Sequence, residues 1–304
     1  MFVGESWPRV SIVTISYNQG KFLEEAIRSI LLQRYPNLEY IVIDGGSTDG
    51  SGEIIQKYKN SLAYWCSEPD GGPAAGLNKG FRRATGEIFG FLNADDFYLL
   101  GSLHRVARIF SSRPSIDVLS GDGYITDISG EKRKPIFSDP WNLWRFAYGA
   151  CVLVQPATFF RKEAFLRVGG FQEKHLTYWD AGLWADLALS GARFHHQKDF
   201  LGVFRFHPGS ISGSGRLKHQ FSRDAEAIFE RIMRRHRSVS DHALGLLLRL
   251  IKFSGHPHRT LGNKLFLHSI RKSQPLPQRA DVRDQDSEFD HLAAHGSSTR
   301  GSYR

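Results

Sequence analysis

Two adjacent carboxylates, Asp95 and Asp96, close an apolar run that reads FGFLNADD. Neighbouring like charges repel unless a cation lies beside or between them. Hard divalent ions such as Mg²⁺ or Mn²⁺ are bound by one or two carboxylates together with phosphate oxygens, so the pair has the chemistry to hold a metal against a diphosphate. In that place a metal neutralises a departing diphosphate as a Lewis acid. The competing reading is an acidic N-terminal cap for a helix over 99–110, where carboxylates suit the helix dipole. Three further polar tips precede this one: Ser16-Tyr17-Asn18, the run DGGSTDG that begins at Asp44, and the run EPDGG that begins at Glu68. Any one of them is an ordinary capped turn. Four in succession imply a shared edge.

The elements between the tips supply that edge. Residues 10–15 (VSIVTI) form a continuous β-branched run, as in a strand buried on both faces. Over 21–33, Phe22, Ala26, Ile30 and Leu31 fall at helical spacing with charges between them. Strands over 39–43, 62–66 and 88–92 alternate with helices over 50–59 and 73–84. This alternation predicts βαβ units and a parallel sheet, and such sheets bind ligands at the carboxyl ends of their strands, where each tip lies. The turn after the first strand, SYNQGKF, has one glycine, which excludes the G-x-G-x-x-G dinucleotide fingerprint, and no Walker A lysine motif occurs. After Asp96 the pattern predicts a strand within 116–126, paired antiparallel through a turn at Ser129-Gly130. An aromatic loop with Trp141, Trp144, Phe146 and Tyr148 follows, then a strand over 158–160, a helix over 178–189 and a strand over 192–206. His195 and His196 point to opposite faces of that last strand and read as structural.

The chain has 304 residues, 41% hydrophobic and 23% charged, enough for one large domain or two smaller ones. Cys66 and Cys151 allow at most one disulfide and no four-cysteine zinc site. The first residues lack signal-peptide regions, and the apolar stretch 243–253 is broken by Gly245, Arg249 and Lys252, short of the roughly 20 residues of a membrane span. The expectation is a cytoplasmic protein, at most at the cytoplasmic face of a membrane. Residues 216–272 hold 13 Lys+Arg against 4 Asp+Glu, a surplus equal to the net +9 of the whole chain. Leu244, Leu247, Leu248 and Ile251 fall on one helical face there, with Gly245, Arg249 and Lys252 on another. With Arg231, Arg234, Arg235 and Arg237, segment 231–253 reads either as a peripheral contact with an anionic membrane or as a helix covering the core. Nucleic-acid binding is excluded as a reading, because neither interleaved aromatics nor a reader motif accompanies the charge. The polar stretch 274–304 is expected to be disordered.

The stretches VSIVTISYNQGKFLEEAIRSILLQ, YIVIDGGSTDGS and SEPDGGPAAGLNKGFRRATGEIFGFLNADD, continued by QPATFFRKEAFLRVGGF, YWDAGLWADLALSGARF and FRFHPGSIS, together resemble the family 2 glycosyltransferases over about residues 9–213. The resemblance implies an α/β GT-A fold: a Rossmann-like, mostly parallel central sheet flanked by helices, here with a helical C-terminal extension. It divides the chain into a glycosyltransferase domain over 1–213 (nucleotide-sugar half 9–96, acceptor half 97–213), a basic helical extension over 214–273 and the tail. It also implies an inverting transfer of one sugar from a nucleotide-diphosphate sugar, UDP favoured, to a glycan or lipid-linked acceptor. The cofactor is Mn²⁺ or Mg²⁺, and the setting is polysaccharide or glycolipid assembly. The Q-x-x-R-W motif and multiple spans of the processive synthases are missing from the sequence, which favours single-sugar transfer.

Carried over residue by residue, Thr14, Ser16, Tyr17 and Asn18 line the nucleotide pocket and Asp44 meets the base. Asp70 and Lys79 lie near the nucleotide and its phosphates. In the N-A-D-D tetrad, Asn93 stands where an aspartate is common. Asp95 and Asp96 take the ribose and metal positions, either one able to be the direct ligand, with His207 as a further ligand or phosphate contact. Asp180 matches the catalytic base; Trp179 replaces its usual acidic neighbour and Gly182 a later acid. Gln155 and Trp179 lie on the acceptor side. Two other readings stay open: a sugar-nucleotide-binding relative without catalysis, and a sugar nucleotidyltransferase, whose Gly-rich basic loop SYNQGKF matches poorly.

Overall fold

The run VSIVTIS has no polar face to turn to solvent, and it forms a strand, β1 (Val10–Ser16), buried almost throughout between two parallel neighbours. In the computed structural model, which describes residues 7–131 and 133–255, the first half alternates as its periodicity predicts. After β1 come α1 (Gly20–Leu31), β2 (Leu38–Asp44), α2 (Ser51–Tyr58), β3 (Tyr64–Ser67), α3 (Pro73–Phe81) and β4 (Ile88–Asn93). The second half runs β5 (Phe97–Tyr98), α4 (Ser102–Ser112), β6 (Val118–Thr126), β7 (Arg133–Ile136), α5 (Leu143–Ala147), β8 (Thr158–Arg161), α6 (Lys162–Val168), α7 (Trp179–Leu189) and β9 (Phe194–Arg205). Three helices follow: α8 (Ile211–Ser214), α9 (Lys218–Met233) and α10 (Val239–Gly255). The tail expected over 274–304, and the extension beyond 255, lie outside the described residues.

The nine strands of the described residues make one mixed sheet in the order β3-β2-β1-β4-β8-β6-β9-β5, with β7 paired to β6. The first four strands are parallel. β8 then enters antiparallel between β4 and β6, β9 runs parallel to β6, and β5 closes the far edge antiparallel to β9. The register places Ser16 opposite Asp44, Ile15 opposite Asn93, and Asp44 opposite Ser67. The polar tips therefore stand in one row.

Helices cover both faces. Leu23, Ala26, Ile27 and Ile30 of α1 and Leu103, Val106 and Phe110 of α4 pack on one side. Leu77 and Phe81 of α3, Phe165 of α6 and Leu183, Trp184 and Leu187 of α7 pack on the other. Helix α3 presses so close that a Cβ on Gly80 would lie 2.5 Å from Val13 Cγ1.

Three local expectations change. The aromatic loop contains the short helix α5, because the Asn142 side chain accepts the Arg145 N–H at 2.8 Å and caps it. Trp141 stacks on Phe194 with ring centroids 4.2 Å apart, whereas Trp144 is half exposed. The helix expected from 99 begins at Ser102, since residues 97–98 are drawn into pairing with β9. The leucine face of α10 is split: Leu244 and Leu248 pack against Tyr148 and Phe229, and Leu247 and Ile251 face outward. Of the arginines read beside it, Arg231 pairs with Asp186, Arg235 with Asp241 and Arg237 with Glu226.

Glu39 closes the sheet at the end opposite the tips. Its buried carboxylate accepts Ser11 Oγ at 2.5 Å, Thr85 N at 2.6 Å, Thr85 Oγ1 at 2.9 Å and an Arg9 N–H at 2.9 Å. Burial pushes this carboxyl up, but the Ser11 and Thr85 bonds and the Arg9 charge outweigh it and hold the group below its ordinary range. The stabilisation is complete above the ordinary glutamate range and is lost as pH falls through the lowered folded value. Glu39→Gln should cost about 2 kcal/mol near neutral pH. Urea unfolding across the acid range should show the wild-type and Glu39→Gln stabilities converging as pH falls.

Candidate active site

β4 ends at Asn93, and the chain turns through Ala94, Asp95 and Asp96 into β5. Asp96 is buried: its Oδ1 accepts the Arg205 backbone N–H at 2.8 Å and its Oδ2 the Asn93 amide at 3.3 Å. Burial, and then the charge of Asp95, push the Asp96 carboxyl well above the usual carboxylate range. Asp95 keeps some exposure, and its Oδ2 lies 3.1 Å from His207 Nε2. Neither acid caps α4, whose N-cap is Gly101 at positive φ, so the capping alternative is excluded.

Arg205, which the sequence reading did not single out, holds this turn. Its guanidinium is 2% exposed. Nε donates to the Asp95 carbonyl at 2.8 Å, Nη1 to the Ile128 carbonyl at 2.8 Å, and Nη2 to Glu25 Oε2 at 2.5 Å. The Phe22 and Phe97 rings flank it at 4.8 and 5.4 Å. The available signal was an arginine inside an apolar strand end, two residues before His207 in FRFHPGS.

The other tips are tied to one another. Asn18 N donates to Ser47 Oγ at 2.8 Å, and Asn18 Oδ1 accepts Thr48 N at 3.0 Å, which links the first two loops. Asp44 is fully buried and accepts Ser47 N, Ser47 Oγ and Ser67 Oγ at 2.9, 2.5 and 2.7 Å. Asp70 accepts Gly72 N at 2.8 Å; burial raises its carboxyl, against the Gly72 bond and the nearby Lys79 charge. Tyr17 lies beside both acids' loops, its ring 3.3 Å from where a Cβ on Gly45 would sit. Lys79 is engaged by Glu68 at 2.5 Å. Thr14 lies below the row, fully buried, where its hydroxyl accepts the Tyr40 phenol at 3.0 Å. An open cleft of about 640 Å³ adjoins the second loop, with Ser47, Thr48, Gln56, Trp65 and Ser67 among its walls.

Gln155 joins the row from the second half: its Oε1 accepts the Asn93 amide at 3.2 Å and its Nε2 donates to the Phe91 carbonyl at 3.0 Å. Two buried oxygens at adjacent strand ends, Ser16 Oγ and Asn93 Oδ1, have no hydrogen-bond partner. Such orphans in a native site mark where a ligand, ion or water is accommodated.

Asp180 stands in the first turn of α7, after Tyr178 at φ 51. Burial raises its carboxyl, opposed by the N–H groups of Ala181 and of Asp180 itself. These contacts belong to α7 rather than to the row. Trp179 packs toward the core around Phe91 and Trp184, with its buried indole N–H unpartnered. The segment leading into α7 is fastened by α9. Asp224 there accepts Thr177 N at 2.9 Å and Thr177 Oγ1 at 2.6 Å, and lies 3.2 Å from His175 Nδ1. Phe221 meets the Tyr178 ring edge-on at 5.0 Å. Of the histidine pair, His196 bonds Asp122 at 2.9 Å, a structural role.

Among the described residues no three His, Cys, Asp or Glu side chains converge on one point. Asp96 is taken by Arg205 and Asn93, leaving Asp95 and His207 as an adjacent carboxylate and imidazole. That pair, with the free Asn93 Oδ1 in the same turn, fits a divalent ion that completes its shell with substrate phosphates and water.

The profile of Glycosyl transferase family 2 matches residues 11–171, more than half of the chain. The chain belongs to glycosyl transferase family 2. This family 2 member is 33% identical over 177 residues to an uncharacterized glycosyltransferase of Mycobacterium tuberculosis H37Rv, covering 55% of this chain and 63% of the relative. The chain thus spans under two thirds of that relative's length. It is also 33% identical over 109 residues to the putative teichuronic acid biosynthesis glycosyltransferase TuaG of Bacillus subtilis, covering 35% of this chain and 43% of TuaG. Among solved structures it resembles S. aureus TarS in complex with UDP-GlcNAc, with a TM-score of 0.61 and 19% identity over 82% of this chain and 73% of that one. It resembles the mannosyltransferase PcManGT of Pyrobaculum calidifontis, in complex with GDP-Man and Mn²⁺, with a TM-score of 0.58 and 20% identity over 93% of this chain and 80% of that one. At these identities the likeness to the solved structures is one of fold, and the fold is the GT-A architecture.

Arg205→Lys keeps the charge and loses the planar fork. Stranding the Asp95 and Ile128 carbonyls should cost about 2–4 kcal/mol in urea unfolding. Glu25→Gln leaves the buried guanidinium without its carboxylate, though the half-exposed amide can still accept a hydrogen bond, and should cost about 1–3 kcal/mol in the same measurement.

Proposed function

We propose that the protein transfers a single sugar from a nucleotide-diphosphate sugar to an acceptor hydroxyl, with inversion at the anomeric carbon. The observation that carries this reading is the row of tips: Ser16, Asp44 and Asn93 brought together by strand register at the carboxyl edge of the sheet, with Asn18 and Asp95 in the loops that follow and His207 beside Asp95. Residues 9–96 bind the donor and residues 97–213 form the acceptor half. Asp44 and the Ser47 and Ser67 hydroxyls that it orders meet the base. Asp70 and Lys79 serve the phosphates. UDP is the favoured nucleotide, and the acceptor is a glycan or lipid-linked sugar in polysaccharide or glycolipid assembly, in keeping with the name of the relative TuaG. No helix of the described residues is long and apolar enough to cross a membrane.

Asp180 removes the acceptor proton as that oxygen attacks the anomeric carbon from the face opposite the leaving group. Its raised carboxyl makes it a stronger base than an exposed aspartate. Asp95 and His207 would hold Mn²⁺ or Mg²⁺, which would supply Lewis-acid stabilisation of the leaving diphosphate. Gln155, by fixing the Asn93 amide, keeps the Asp96 and Asp95 turn in place. Trp179, in place of an acidic residue beside the base, favours a second reading, a sugar-nucleotide-binding protein without turnover.

Calorimetric titration with UDP should show binding in Mn²⁺ that falls sharply in EDTA and in Asp95→Ala. Failure of UDP, GDP and dTDP alike would overturn the donor site.

Asp180→Asn should retain nucleotide binding and lower sugar transfer, or donor hydrolysis in the absence of an acceptor, by about 10²–10⁴-fold. In the wild type the rate should fall as pH drops through a value above the ordinary aspartate range, because the base must be ionised to act. Unchanged turnover in Asp180→Asn would remove it from catalysis.

A further inference from the structure

Helix α10 is apolar on two faces. Leu244, Gly245 and Leu248 face Tyr148 and Phe229. On the other side Val239, Leu246, Leu247, Leu250 and Ile251 are exposed by 89, 57, 53, 54 and 51%. Their spacing of three and four residues makes one continuous row along the helix. A helix that is hydrophobic all round is normally buried all round, in a protein core or in a membrane. Among the described residues nothing covers the outer row. Trp144, itself 50% exposed, packs against Tyr148 at 5.0 Å, next to the covered face of the same helix.

The charge around the row selects what covers it. Residues 216–255 carry nine Lys+Arg against four Asp+Glu, and residues 256–272 add four Lys+Arg with no acid. Arg235 and Arg237 pair with two of those four acids, Asp241 and Glu226, while Arg231 and Lys252 reach Asp186 and Asp139 outside the segment; these pairs leave the segment with a net positive surplus. A second copy of the chain, docked row to row, would bring two such cationic segments together. An anionic surface neutralises them. We propose that α10 lies in the plane of an anionic lipid surface, with Leu246, Leu247, Leu250 and Ile251 seated at the acyl boundary and the basic groups facing the headgroups. This placement stands independently of the sugar-transfer reading, since it uses no residue of the row of tips. It puts the acceptor half of the protein, through α9, within reach of a lipid-borne substrate.

The test is co-sedimentation of the full chain with phosphatidylcholine vesicles, with and without phosphatidylglycerol, for the wild type and for L246Q/L247Q/L250Q/I251Q. The substitutions lie on the solvent face, so melting temperature and circular dichroism should be unchanged. The wild type should partition to the phosphatidylglycerol vesicles, release as salt rises, and bind at least about tenfold better than the variant. Three results would overturn the proposal. The wild type could ignore both vesicles. The variant could bind as well as the wild type, which leaves the leucines without a role. Or size-exclusion chromatography could show a wild-type dimer that the same substitutions dissolve, which assigns the row to a second copy.

Discussion

A buried guanidinium has to be satisfied on every side, and Arg205 is satisfied only when three other pieces of chain are in place. A charge taken from water is costly unless it is paired and hydrogen-bonded. Here the compensation comes from Glu25 on α1, the Asp95 carbonyl after β4, the Ile128 carbonyl between β6 and β7, and the rings of Phe22 and Phe97. The backbone of the same residue holds Asp96 in the turn. The acidic tip therefore owes its geometry less to its own sequence than to a strand that arrives from the far end of the domain. This also explains why two adjacent aspartates coexist: one is buried in hydrogen bonds with its carboxyl raised, and the other stays partly exposed beside His207.

That division of labour shows which parts of the molecule were legible in the sequence. The β1 to β4 block was, because buried parallel strands are written as continuous β-branched runs and the helices between them as a 3.6-residue period. The polar tips followed, since register and alternation fix where strand ends lie. The second half was not legible to the same degree. The two-residue strand β5 exists only through its pairing with β9, and the antiparallel entry of β8 between β4 and β6 is a long-range choice with no local signature. Helix α10 misled for a related reason: with apolar residues on both sides, its inner face is decided by the positions of Tyr148 and Phe229. Among site residues, Arg205 and Asp224 escaped notice because a single charged residue gains its meaning from partners far away in the chain.

Asp224 shows the same logic at the other side of the site. Through Thr177 and His175 it fixes the segment that leads to Tyr178, Trp179 and Asp180, while Arg231 of the same helix reaches Asp186 of α7. The basic extension is thus built into the second half of the chain and is not an appendage to it. Its inward-facing groups order the proposed base, and its outward-facing ones remain available to a surface.

The bond from Arg205 to the Asp95 carbonyl spans 110 residues of chain. Contacts of such sequence separation form late in folding, because the loop they close has a high entropic cost until most of the intervening structure exists. The β1 to β4 block pairs strands that lie closer together in the chain, yet its acidic turn lacks the Arg205 bonds until β9 has added to the sheet. A chain that ends before that strand carries the loops after β1, β2 and β3 without the bonds that hold Asp95 and Asp96 in their turn.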